Sequence, residues 1–175
     1  MRVIGVDPGS VVTGYGLVRG EQGRLSFIAA GVIRNSPSLG YGDKLLNIYQ
    51  HLCALIRKHA PDAMSLERSF VASNVQSAFR LGEVRALALL AAASCELPLF
   101  EYAPAQVKLA VASHGRADKA QVKFMVRRAL QLDDEMALTD DAADALALAM
   151  CHLGRTRWGA LATSRRRKPL RVELQ

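Results

Sequence analysis

An apolar run at residues 2–7, Arg-Val-Ile-Gly-Val-Asp, breaks off at Asp7-Pro8-Gly9, and no other feature constrains the fold as much. A short run of this kind followed by Pro and Gly predicts a buried strand that stops at a turn. Residues 14–19 and 25–34 carry two further strand patterns, and the Glu21-Gln22-Gly23-Arg24 connection is of hairpin length. The chain therefore opens as a three-stranded meander. Between 43 and 59 the residues Leu45, Ile48, Tyr49, Leu52, Leu55 and Ile56 recur at helical spacing, and Pro61 ends that helix. A strand at 63–67, a polar connection at 68–74, an Ala- and Leu-rich helix at 75–94 and a strand at 97–102 follow. Three helices at 104–112, 118–131 and 140–153 complete the pattern. Strands that alternate with helices run parallel, so the order predicts an α/β fold. Its mixed five-stranded sheet has helices on both faces, and strands two and three form a hairpin edge.

With 175 residues the chain suits one domain, expected at 1–154, with a basic C-terminal tail at 155–175. The net charge is +7, and +6 of it lies in that tail, which includes Arg165-Arg166-Arg167-Lys168. Such an arm suits a polyanion by counterion release, and equally a solubilising terminus. Cys53, Cys95 and Cys151 form no CxxC pair, which argues against a disulfide scaffold or a structural zinc site. The longest apolar stretch is about half the ~20 residues that a membrane span requires. An acid at position 7 comes too early for a secretory signal, so a cytoplasmic location and no membrane are expected.

The chemistry lies in where the acids fall. If strands one and four are parallel neighbours, Asp7 and Glu67 both sit at C-terminal strand ends, where α/β sheets place their sites. Thr139-Asp140-Asp141-Ala142-Ala143-Asp144 opens the last helix, and acids three or four apart share a helix face. Converging carboxylates repel unless they are protonated or metal-bound. An oxygen-only donor set suits Mg²⁺ or Mn²⁺ rather than zinc, and two such ions can clamp a phosphodiester in an in-line displacement. Each acid also has a plainer use. Asp7-Pro8-Gly9 suits a turn, and Thr139-Asp140-Asp141 suits helix capping. Glu67 is harder to explain away, because it ends the otherwise apolar Met64-Ser65-Leu66. Phe70 on the polar connection is either a base-stacking aromatic or a loop anchor. Lys119 opens a helix whose Lys123, Arg127 and Arg128 read as a solvated face. The loop His114-Gly115-Arg116 is a possible phosphate contact, and His51, His59 and His152 carry no assignment.

Val6-Asp7-Pro8-Gly9-Ser10 with Thr13-Gly14-Tyr15-Gly16 resembles the opening motif of the RuvC Holliday-junction resolvases. Leu66-Glu67-Arg68-Ser69-Phe70 with Asn74, Phe100-Glu101-Tyr102 with Gln106-Val107-Lys108, and Asp141-Ala142-Ala143-Asp144-Ala145-Leu146-Ala147 resemble three later motifs, in order. The resemblance implies an RNase H-like fold and a homodimer that uses two Mg²⁺ ions per active site, with Mn²⁺ as a substitute. It implies symmetric nicks in opposed strands of four-way junction DNA, leaving 5′-phosphate and 3′-hydroxyl ends, in recombination and DNA repair. Catalytic and metal-binding carboxylates would be Asp7, Glu67, Asp141 and Asp144, with Asp140 a spare acid. Phe70, Lys108 and Lys119 would contact DNA, and the branch-migration proteins RuvA and RuvB would be partners. Family members vary at the third acid, and the basic tail matches no motif. The Ala-rich surface of the 75–94 helix is the candidate dimer contact.

Three other readings stand beside this one. A ribosomal-RNA-processing nuclease shares the fold and an opening Asp-Pro-Gly. An actin-like or sugar-kinase phosphotransferase also begins its phosphate loop with Asp-x-Gly, but it needs two domains. A non-catalytic junction binder would have no use for repelling acids beside phosphate.

Overall fold

A computed structural model describes residues 1–9, 11–68 and 75–159. The elements are β1 (Arg2–Asp7), β2 (Val12–Glu21), β3 (Arg24–Arg34), α1 (Tyr41–His59), β4 (Ala63–Glu67) and α2 (Val75–Ser94). They continue with β5 (Leu99–Tyr102), α3 (Pro104–Ala112), α4 (Lys119–Leu130) and α5 (Asp140–Gly159). The sheet order is β3-β2-β1-β4-β5. β1 pairs with β2 antiparallel and with β4 parallel, and β4 pairs with β5 parallel. This is the mixed five-stranded sheet with a hairpin edge that the order of patterns predicts.

Alternation along β1 and β4 feeds two cores. Ile4, Val6, Met64 and Leu66 face one side and pack with Ile48, Leu52 and Ile56 of α1 and Val84, Ala88 and Ala91 of α2. Val3 faces the other side and packs with Val107, Val122, Val126, Leu146 and Ala147 of α3, α4 and α5. Period-2 strands between amphipathic helices account for both layers.

One contact in the second layer is unusually close. A Cβ at Gly5 of β1 would stand 1.9 Å from the Ala145 carbonyl oxygen. At Gly14 and Gly16 of β2 it would stand 2.1 Å from the Asp141 carbonyl oxygen and 2.6 Å from the Leu146 nitrogen. Gly5 and Gly16 are paired across the β1–β2 ladder, and Asp7 is paired with Gly14. The backbone of α5 thus rests on a glycine row, which only residues without a Cβ allow. The buried Ser65 hydroxyl donates to the Leu148 carbonyl at 2.8 Å and ties β4 to the same helix.

Several boundaries differ from the sequence expectation, among them β2, which spans Val12–Glu21 rather than 14–19. β5 starts at Leu99 rather than 97, because Glu96 takes a left-handed φ of 52° and the Leu97 N–H closes α2 on the Ala92 carbonyl at 2.8 Å. α5 runs to Gly159, so residues 155–159 are helical. The basic cluster at 165–168 lies outside the described residues. No described helix is long and apolar enough to cross a membrane.

Gly5→Ala drives a methyl group into helix backbone and should cost on the order of 3 kcal/mol or prevent folding. Gly82→Ala, exposed on α2 with nothing within 4 Å of the new Cβ, should gain about 0.5–1 kcal/mol from helix propensity. Urea denaturation of the two variants checks both signs.

Candidate active site

β1 and β4 run parallel side by side, so their last residues, Asp7 and Glu67, reach the same end of the sheet. α5 begins at that end as well. Thr139 opens it, its hydroxyl accepting from the Ala142 N–H at 3.3 Å and its carbonyl from the Ala143 N–H at 3.0 Å. Asp140 and Asp141 fall in the first turn, where the helix dipole favours negative charge. Capping and the gathering of acids are therefore served by one segment.

A cleft of about 190 Å³ lies where these ends meet. The carboxylates of Asp7, Glu67 and Asp144 and the side chains of Lys108 and Lys119 line it, over Val107, Val122 and Leu148. Asp141 stands beside Gly14 and acts electrostatically on both Asp7 and Asp144 without lining the cleft. Asp140 points elsewhere. Its Oδ1 accepts from Lys123 Nζ at 2.7 Å, which holds its carboxyl below the usual range.

The electrostatics show how crowded the acids are. Burial, then the charges of Asp144, Glu67 and Asp141, push the Asp7 carboxyl up to about 7. Glu67 is raised by burial and then by Asp144. Asp144 is raised mainly by burial, against the opposing pull of Lys119. The Lys119 Nζ lies 3.6 Å from Asp144 Oδ2, but its side chain is 78% exposed, so the pair is loose and screened by water. Four clustered carboxylates exceed the two ammoniums of Lys108 and Lys119, and a donor set of oxygens alone fits a hard divalent cation. Among the described residues no three acidic, His or Cys side chains are already closed around an ion position.

Among the sequence-predicted residues, the structure brings together Asp7, Glu67, Asp144, Lys108 and Lys119 and sets Asp141 next to them. Phe70 and Asn74 lie outside the described residues. The expected solvated face of α4 holds at Arg128, which is exposed, and is corrected at two residues. Lys123 is bound to Asp140, and Arg127 Nη1 donates to the Asp133 carbonyl at 2.8 Å and Nη2 to that of Met136. A polar pair with no counterpart in the sequence reading links β5 to α5. Buried His152 Nδ1 is 2.7 Å from the Tyr102 hydroxyl, and its ring stacks near Phe100 with centroids 4.4 Å apart. Burial lowers His152 to about 4 and lifts Tyr102 to about 12. Tyr102 is the β5 neighbour of Glu67, and its carbonyl accepts from the Arg68 N–H at 2.8 Å. The signal was a His eight residues beyond Asp144, in the otherwise apolar stretch 145–153 of α5.

The sequence profile described as "Crossover junction endodeoxyribonuclease RuvC" matches residues 3–152. The chain belongs to the RuvC family. A RuvC of Myxococcus xanthus is 46% identical over 94% of this chain and 86% of its own. One from Pelotomaculum thermopropionicum is 42% identical over 90% and 96%. The structure of Thermus thermophilus RuvC in complex with a Holliday junction substrate superposes with a TM-score of 0.84 at 31% identity, covering 91% of this chain and 96% of that one. The fold of this RuvC family member is RNase H-like, and the chain is a structure-specific endodeoxyribonuclease.

The raised carboxyls make a pH prediction for the metal-free protein. An acid whose folded pKa lies above its unfolded value binds extra protons in the folded state, so stability falls as pH rises from about 4 to about 7. His152 acts with the opposite sign, since its depressed pKa removes stability as pH falls from about 6.5 towards 4. Comparing variants isolates the first effect. Asp7→Asn should melt higher than the parent at pH 7–8, and the gain should vanish near pH 4, as read by calorimetry in chelator.

Proposed function

We propose that the protein is a Holliday-junction resolvase, a homodimer that nicks opposed strands of four-way DNA junctions symmetrically and leaves 5′-phosphate and 3′-hydroxyl ends. The observation that supports this most is the meeting of Asp7, Glu67 and Asp144 in one cleft beneath Lys119, in a chain of the RuvC family. The relative of known structure was solved with such a junction.

Asp7, Glu67, Asp141 and Asp144 would hold two Mg²⁺ ions, or Mn²⁺ in their place. Such ions, when bound, supply a nucleophilic water at neutral pH and offset charge on the leaving 3′-oxygen. The chain's own side chains do the rest. Lys108 and Lys119, at the rim of the carboxylate cleft, receive the non-bridging phosphate oxygens and stabilise the charge that builds on them. The apolar floor of Val107, Val122 and Leu148 limits water around the phosphate. Asp7, between the other acids, carries the carboxylate most sensitive to its surroundings, which suits the central ligand. Phe70, next to Glu67 in sequence, would stack on an unpaired base at the crossover. Each protomer would supply one site, and α2, with Phe79 72% and Leu90 53% exposed, offers the apolar surface for pairing. In the cytoplasm RuvA and RuvB would be the branch-migration partners, and the basic segment at 165–168 would add affinity for the junction arms.

End-labelled synthetic junctions, with and without Mg²⁺ and beside a linear duplex and an RNA of the same sequence, test this reading. Symmetric, metal-dependent cuts confined to the junction are expected. Asp7→Asn should lower the nicking rate by about 100-fold or more, the scale of a lost transition-state electrostatic group. Junction affinity should stay within about threefold, because no phosphate-binding cation is removed. Cleavage of the RNA instead, or equal loss of binding and cutting in the variant, would contradict it.

A further inference from the structure

Three cations on one face of α4, Lys119, Lys123 and Arg127, stand four residues apart and meet the approach to α5 in reverse order. Arg127 holds the carbonyls of Asp133 and Met136, Lys123 holds Asp140 at 2.7 Å, and Lys119 reaches Asp144 at 3.6 Å. The rungs are unequal. Lys123 is 33% exposed and makes a short charge-assisted bond, whereas Lys119 is 78% exposed and makes a long one. Asp140 is absent from the charges that act on Asp7, which are those of Asp144, Glu67, Asp141 and Lys119. The charge of Asp140 does raise Asp144, but its carboxyl oxygen is bound to Lys123 and it does not line the cleft.

The packing explains what it does. Val122, Val126 and Leu130 bury one side of α4 in the core that α5 shares. Apolar contact fixes how closely a helix docks and leaves its roll about its own axis weakly set. The Asp118–Gln121 capping box closes the first turn of α4 on itself and does not reach α5. Lys123–Asp140 is the directional link one turn from Lys119.

We propose that Asp140 and Lys123 are a positioning pair, which sets the roll of α4 so that Lys119 stands over the carboxylate cleft. The proposal rests on the cleft being the junction-cleaving site, and it assigns the spare acid a role outside the ligand set. Lys119 remains free to exchange Asp144 for a phosphate oxygen, while the neighbouring pair keeps its helix in place.

The test uses Asp140→Asn, Lys123→Gln and the charge-exchanged double variant Asp140→Lys with Lys123→Asp, in the full-length protein. Single-turnover nicking should slow by about two- to fivefold in each single variant, the range of an exposed ion pair. Junction affinity in chelator should stay within about twofold and the melting temperature within about 4 °C. The exchanged pair should recover the parental rate to within about twofold, as a restored ion pair requires. Amide exchange in the first turn of α4, measured without metal or DNA, should quicken in the single variants and recover in the exchanged one. Unchanged rates and exchange in the single variants, or no recovery on charge exchange, would overturn the proposal. So would a loss in Asp140→Asn as deep as that in Asp7→Asn, which would make Asp140 a ligand. Tighter junction binding in Asp140→Asn, with a salt dependence steeper by about one counterion, would make Asp140 a mask over Lys123 and would also overturn it. Failure of the parent to nick any junction would count against the resolvase reading, and the amide exchange would still decide the pairing.

Discussion

The backbone of α5 lies directly on the glycines of β1 and β2, and the site depends on that contact. With Gly5, Gly14 and Gly16 facing it, the helix approaches to within a distance that a single methyl group would forbid. Its own surface is matched to the approach, since Ala142, Ala143, Ala145, Ala147 and Ala149 are all buried. The Ser65–Leu148 hydrogen bond adds β4 to the same arrangement. Because Asp7 is paired with Gly14, and Gly14 touches the backbone of Asp141, docking the helix and gathering the acids are one structural event.

That gathering works against stability. Carboxylates that share a partly buried cleft raise one another's proton affinity, and Asp7 at about 7 shows the strain most clearly. A fold selected for stability alone would place an apolar residue at the ends of β1 and β4. The two cores on either side of the sheet supply the compensating burial, and Tyr102–His152 clamps β5 to α5 beside Glu67. Retention of a destabilising cluster in so well packed a setting is what a cation-dependent site requires.

Much of this was legible in the sequence, for particular reasons. Alternation of apolar runs with helical stripes gave the parallel strands, and parallel neighbours oblige Asp7 and Glu67 to share one end of the sheet. Glu67 stood out because an acid ended a buried strand. Other features were hidden because they depend on packing. A glycine in a strand reads as a weakness or a bulge, and only the docked helix shows Gly5 and Gly16 to be a seat for α5. His152 and Tyr102 are fifty residues apart, and no local pattern pairs them. Lys123 looked like one of several solvated cations, because its partner Asp140 arrives from a different helix. The left-handed turn at Glu96, just past the end of α2, was likewise a matter of backbone conformation, and β5 starts only at Leu99.

The most direct test of the central claim is anomalous diffraction from crystals grown with Mn²⁺. The account predicts metal peaks in contact with the Asp7 carboxylate, with Glu67, Asp141 and Asp144 supplying the remaining protein oxygens and Asp140 still held by Lys123. Metal found only at the exposed acids 133–135, or a cleft in which Asp7 contacts no metal at saturating Mn²⁺, would contradict it.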